Sequence, residues 1–250
     1  MKKKLLMAAL ALGVSGWVKA QEFKLAKSSG RLELNIGKAI VEGYNGNEII
    51  FTSGDFDKRL DDRAKGLKEI NSLGLDDNTG LGINVSENGD VISVRQLKRI
   101  NSPNIKIQVP RGIIVSYNHE SQYGGTVRFA NLENEIEVSA QYNSIELDNV
   151  SGPLTVKTIY GHVEAVLGAN VKGPVSIVSV YGYADVTLPL TTKANLRLST
   201  AYGEIYVAPE FKIEMDRDGA DSDRVSGKIN GGGISVDINC NYGKVYLRKK

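Results

Sequence analysis

The chain has 250 residues, with 31 Lys and Arg against 29 Asp and Glu, 27 Gly, 11 Tyr and one Cys. A single cysteine excludes an intramolecular disulfide, so the fold must rest on its core. Four of the basic residues fall in the first 20 positions; residues 21–250 carry 27 basic and 29 acidic side chains, a formal net of −2, which argues against a nucleic-acid partner.

The chain opens with Lys2, Lys3 and Lys4, an apolar run from Leu5 to Val14, and the small-residue exit Val18-Lys19-Ala20. This pattern predicts a secretory signal peptide over residues 1–20, cut after Ala20. The apolar run is too short to cross a bilayer, which needs roughly 20 residues. No cysteine follows the cut, so lipid attachment there has no acceptor, and no later stretch reads as a membrane span. Residues 21–250 are expected to form a single domain.

Strands are predicted at 31–36, 48–52, 82–85, 91–94 and 105–109, from short runs rich in Val, Ile and Thr. Asn88-Gly89 is a two-residue hairpin signal, and Pro110-Arg111-Gly112 marks another turn. Residues 55–78 are charged and then rich in Gly and Asp; Asp57 to Ile70 could hold a short helix but reads as a loop excursion.

From residue 116 a repeat takes over. Tyr followed by Gly or Asn occurs at Tyr123, Tyr142, Tyr160, Tyr181, Tyr202 and Tyr242, at spacings of 19, 18, 21, 21 and 40. The last spacing is a double period, with one landmark missing near residue 222. An alternating strand precedes each tyrosine, with apolar pairs such as Ile136 and Val138 or Val175 and Ile177. A second follows it, with pairs such as Val163 and Ala165 or Val245 and Leu247. Two residues before the landmark stands a small residue: Ala140, Thr158, Ser179, Thr200 or Cys240.

One coil cannot bury its apolar side alone, so such units must stack. The expected fold is all-β: a single-stranded parallel β-helix (β-solenoid) with coils of about 20 residues stacked about 4.8 Å apart. Residues 21–115 are its irregular part or a capping sheet, and residues 116–250 its regular repeats. Side chains alternate faces along a strand, and the count across the corner places the shift of parity at Gly. On that count the tyrosine column faces inward as a packing ladder.

Several segments resemble a family of exported bacterial candidate adhesins with β-strand repeats: Ile107-Gln108-Val109-Pro110-Arg111-Gly112, the Tyr-Gly landmarks, Val186-Thr187-Leu188-Pro189, and Lys193-Ala194-Asn195-Leu196 leading into Tyr202-Gly203-Glu204-Ile205. The resemblance implies export, a β-helix-like fold and surface adhesion, and it supplies no catalytic residue.

Four residues after the landmarks from Tyr142 on stand Glu146, Glu164, Asp185, Tyr206 and Tyr246. The carboxylates read as a solvated acidic stripe; stacked like charges could otherwise be relieved by calcium. A catalytic pair of the retaining-glycosidase kind is the remaining reading. Asp216, Asp218, Asp221 and Asp223 form an acidic loop around Gly219, short of the EF-hand spacing. His119 and His162 have no sequence partner, and Cys240 falls in the small inward column. Tyr183, Tyr206 and Tyr246 form the expected ligand face.

These readings converge on an exported, non-enzymatic β-repeat protein, at the cell surface or in the periplasm, with no cofactor other than calcium as a candidate. Its expected partner is a polysaccharide or a protein. A carbohydrate-active lyase or hydrolase on a β-helix is the second reading, and an envelope assembly or stress-signalling component the third.

Overall fold

The computed structural model describes residues 21–53, 63, 67, 71–216 and 223–250. The expected signal peptide, most of the excursion at 55–70, and Asp218 and Asp221 lie outside the described residues.

Among the described residues, all regular elements longer than one residue are strands. The N-terminal ones are β1 (Gln21–Leu25), β2 (Ser29–Asn35), β3 (Ala39–Tyr44), β4 (Ile49–Ser53), β5 (Ile83–Asn88), β6 (Val91–Gln96) and β7 (Ile105–Pro110). Then come β8 (Gly112–His119), β9 (Val127–Ala130), β10 (Ile136–Ala140), β11 (Ile145–Val150), β12 (Leu154–Thr158), β13 (Val163–Leu167), β14 (Val175–Ser179) and β15 (Ala184–Leu188). The chain finishes with β16 (Ala194–Thr200), β17 (Ile205–Val207), β18 (Glu214–Met215), β19 (Arg224–Ile229), β20 (Ile234–Cys240) and β21 (Val245–Lys249).

These strands form two sheets. One runs β1-β4-β7-β3-β9-β11-β13-β15-β21-β17, the other β18-β19-β16-β20-β14-β12-β10-β8-β2-β6-β5. Each repeat gives one strand to each sheet, and equivalent strands of neighbouring repeats pair in parallel in constant register, apart from one irregularity between Asp148 and Val150 of β11 that sets Val150 against Leu167. The apolar columns follow directly. Ile136, Leu154, Val175, Val236 and Leu196 align across one sheet. Ile145, Val163, Ala184, Val245 and Ile205 align across the other. Ile205 is half-buried in the last coil; the other nine are buried.

The order of the coils departs from the order of the sequence at both ends. Coils 112–130, 136–150, 154–167 and 175–188 stack consecutively. The coil built from β20 and β21 then inserts between β14/β15 and β16/β17, so the last coil of the sequence is the penultimate layer. The coil built from β2 and β3 likewise sits between β8/β9 and β6/β7. Both sheets continue across residues 110–112.

Among the described residues, the double spacing between Tyr202 and Tyr242 holds no further parallel coil between β17 and β20. Between β17 and β20 lie β18 and β19 instead, and β19 runs antiparallel to β16 and closes that end of the sheet. At the other end the Asn88-Gly89 hairpin joins β5 and β6 as the sequence suggests, with Gly89 at φ 60°. The strands β1, β3, β8, β9, β18 and β19 were not among the sequence-predicted ones.

Candidate functional site

Five corners join the two sheets through four residues each: 141–144, 159–162, 180–183, 201–204 and 241–244. Hydrogen bonding between coils continues through them. Tyr160 N–H donates to Gln141 O, Tyr181 N–H to Ile159 O and Tyr242 N–H to Val180 O. Inter-coil bonding at the corner keeps successive tyrosines in step.

The structure reverses the expected direction of the tyrosines. Tyr142, Tyr160, Tyr181, Tyr202 and Tyr242 are all exposed, Tyr160 by 56% and Tyr202 by 76%. The residue that faces inward is the next one: Asn143 and Gly161 are buried. The parity shift thus falls before the glycine, where Ile159 and Tyr160 both lie off the core. Glycine is needed here for a reason other than backbone freedom. Gly161, Gly182, Gly203 and Gly243 do not have positive φ. A Cβ on any of them would lie within 3.0 Å of a carbonyl oxygen in the adjacent coil.

The small residue two positions before the tyrosine completes the corner. Thr158 Oγ1 donates to Asn143 O at 3.1 Å and accepts from Gly161 N–H at 3.2 Å. Thr200 makes the same pair of bonds with Gly243 O and Gly203 N–H. Ser179 Oγ donates to Gly161 O at 3.1 Å. Buried backbone groups that a turn would orphan are thereby satisfied. Cys240 occupies this column with no exposed surface, and burial pushes its thiol up to about 11.

With the corners in register, the rings must stack. Centroids are 5.0 Å apart for Tyr142–Tyr160, 5.1 Å for Tyr160–Tyr181, 4.9 Å for Tyr181–Tyr242 and 5.0 Å for Tyr242–Tyr202. Interplanar angles are 6–18°. The spacing is the strand spacing of the sheets, about 4.8 Å. Tyr123 stands outside the row because its corner is longer, spanning 120–126. Its ring lies under the Arg99 guanidinium, 5.7 Å from the centroid.

The second predicted column is also real as a column. Glu146 pairs with Glu164, Glu164 with Asp185, Asp185 with Tyr246, and Tyr246 with Tyr206. Two of its charges, those of Glu164 and Asp185, have protein partners. Asp185 accepts both contacts from Arg248 Nε, at 2.7 and 2.9 Å. Glu164 accepts from the Tyr183 hydroxyl at 2.6 Å, and that bond, aided by desolvation, pushes the phenol up to about 12. Tyr206 and Tyr246 stack at 5.4 Å, with Lys244 over the first ring and Arg248 over the second. Tyr206, Tyr246 and Arg248 line a shallow groove of about 380 Å3 together with Val207, Ala208, Glu210, Leu247 and Lys249. Tyr183 meets Tyr246 edge-on at 6.4 Å.

Among the described residues no three His, Cys, Asp or Glu side chains converge to hold a metal ion. Asp216 donates its backbone N–H to Ser226 O, and the carbonyl of Asp223 accepts from Thr200 N–H, both within the cap. The histidines have partners that sequence reasoning missed. His119 is buried in the inward column, with Nδ1 2.8 Å from Asn143 Oδ1. His162 stacks on Tyr183 at 4.7 Å, with Nδ1 3.0 Å from Ser144 Oγ and Nε2 4.0 Å from Glu164 Oε1. Ser144 and Tyr183 reach His162 from the coils on either side, and only the register brings them together. They are open to water at the surface, where electrostatic activation of a nucleophile is weak.

A comparison with curated proteins finds no match. Among solved structures the chain is similar to a Clostridium sporogenes protein described as a "putative cell adhesion protein", with 15% identity, 93% of this chain and 100% of that one covered, and a TM-score of 0.48. It is also similar to a Bacteroides fragilis protein described as a "putative adhesin", with 11% identity, 94% and 98% covered, and a TM-score of 0.35. The model of the family described as Toastrack DUF4097 matches residues 13–248, nearly the whole chain and both sheets. The chain belongs to the Toastrack DUF4097 family.

Proposed function

We propose that this is an exported, non-enzymatic binding protein of the cell surface or periplasm, built as a β-solenoid with displaced terminal coils. It holds a polysaccharide or protein partner against the tyrosine-bearing corner and the adjoining face of Tyr183, Tyr206 and Tyr246. One observation carries this reading: five exposed tyrosines form an unbroken row along the stack. A row of this length offers area and hydroxyls with little ordering cost, because the sheets already fix every ring. Export is supported by the lysine-led apolar segment at residues 1–20.

The test is binding of the purified protein to arrays of polysaccharides and extracellular matrix proteins, with and without calcium. Saturable binding that weakens in Tyr160→Ala and Tyr181→Ala supports the row as the contact surface. Weakening only in Tyr206→Ala and Tyr246→Ala would move the contact to the groove. Binding unchanged in all four variants would refute both. Dependence on calcium would assign an ion to the acidic column of Glu146, Glu164 and Asp185.

A further inference from the structure

We infer that the ligand of the tyrosine row is a linear, uncharged polysaccharide of β-1,4-linked pyranoses, lying parallel to the stacking axis with one sugar per coil. The inference rests on the binding role proposed above and names its ligand class.

The rings dictate the mode of contact. Tyr160, Tyr181 and Tyr242 are each sandwiched between two others, so their faces are covered. What they present to solvent is a ring edge and a phenol hydroxyl, which both donates and accepts. Tyr202 ends the row and is the most exposed of the five. A single sugar lying flat on an aromatic face has no place along the middle of this surface. A polymer that offers a polar group at every step does.

The step selects the polymer. Ring centroids advance by 4.9–5.1 Å. An extended polypeptide advances about 3.3 Å per residue, so its groups fall out of phase with the rings after one coil. An extended β-1,4-linked pyranose chain advances by nearly the coil step, with equatorial hydroxyls at each sugar. α-1,4 and β-1,3 chains curl and leave the row.

The charge of the surroundings selects a neutral chain. The residues preceding the five tyrosines are Gln141, Ile159, Val180, Ala201 and Asn241, none of them charged. On the other side of the row, Lys244 is paired with Glu204 at 3.2 Å. A polyanion would find no column of basic side chains beside these rings.

The experiment is titration calorimetry of the full-length protein with β-1,4 oligomers of glucose and of N-acetylglucosamine, from dimer to hexamer. Maltohexaose (α-1,4) and laminarihexaose (β-1,3) are the controls. Affinity is expected to rise with each sugar up to the pentamer, one sugar per ring, and then level off. Tyr181→Phe keeps the stack and removes one hydroxyl; it is expected to weaken binding by roughly 2- to 10-fold, the equivalent of one hydrogen bond. Tyr123→Phe, at the ring that stands outside the row under Arg99, is expected to leave affinity unchanged. Binding that ignores length or linkage, or survives Tyr181→Phe and Tyr160→Phe intact, would overturn the inference, as would no binding of either β-1,4 series. If a different partner on the array still weakens in the Tyr160→Ala and Tyr181→Ala variants, the ligand class falls and the binding row stands. If no partner responds to them, both fall.

Discussion

Replacing Gly182 by alanine tests how the corners are built. The added methyl would lie under 3.0 Å from Gly161 O and from Ser179 Oγ, with no flexible side-chain end to yield on the carbonyl side. To admit it, the coils must part at the corner. That strains Tyr181 N–H to Ile159 O at 2.8 Å and Val163 N–H to Tyr183 O at 2.9 Å. It also displaces the carbonyl that accepts from Ser179. Overpacking costs about 1–3 kcal/mol, and the weakened hydroxyl bond about 0.5–1.5 kcal/mol. A stiffer unfolded chain returns about 0.4–1 kcal/mol. The net is a loss of about 2 kcal/mol, or roughly 4–8 °C in Tm for a chain of this size. Gly89 is the control, since it has φ 60° and a methyl added there would meet nothing within 4 Å. Gly89→Asn is expected to melt close to wild type, because asparagine tolerates the left-handed region. Gly182→Asn is expected to be worse than Gly182→Ala, because its obstacle is steric. Thermal melts by circular dichroism decide the matter. Gly182→Ala melting within about 1 °C of wild type would refute this account of the corner.

Thr158→Val leaves Asn143 O and Gly161 N–H without their buried hydroxyl partner, and a destabilisation of about 1–3 kcal/mol is expected in urea unfolding, against a smaller loss for the exposed Thr155→Val. Cys240, buried and with its thiol pushed up to about 11, is expected to resist thiol reagents at neutral pH in the folded protein and to react once unfolded; rapid native labelling would contradict its placement. Tyr183, held up to about 12 by Glu164, keeps its proton longer folded than unfolded, so its contribution is full below pH 10 and is lost as pH rises through 12; Tyr183→Phe should flatten that part of the stability profile. Removing residues 233–250 takes out an inner layer, so the strands at 194–199 and 224–229 should lose amide-exchange protection too; if only the deleted coil is missed, the displaced order is wrong.

Much of the coil was legible in the sequence. The apolar pairs flanking the landmarks from Tyr142 on lie in the core as their alternation requires, apart from Ile205 and Val207, half-buried in the end coil, because burial on one face imposes a period of two. The column at landmark plus four, with Glu146, Glu164, Asp185, Tyr206 and Tyr246, forms as counted, since a constant corner length carries register from one sheet to the next. The side on which the landmark tyrosines lie was misread. The parity count locates a shift somewhere within a corner but not at which residue, and the hydrogen bonds of Thr158 and Thr200 place it one step earlier. The contacts His162–Ser144 and His119–Asn143 were invisible, because they join residues 18 and 24 apart that only meet across coils.

The sequence by itself determined the strands, the inward columns and the repeating corner, since these depend on local alternation and on residues within one period. Only the tertiary structure decided the order of the layers. Every coil presents the same apolar alternation, so the columns are equally well filled whichever coil lies next to which. The choice falls to the hairpin of β18 and β19, which caps β16 and leaves β20 and β21 to fill the layer beneath. That choice sets the order of the stacked tyrosines as 142, 160, 181, 242, 202.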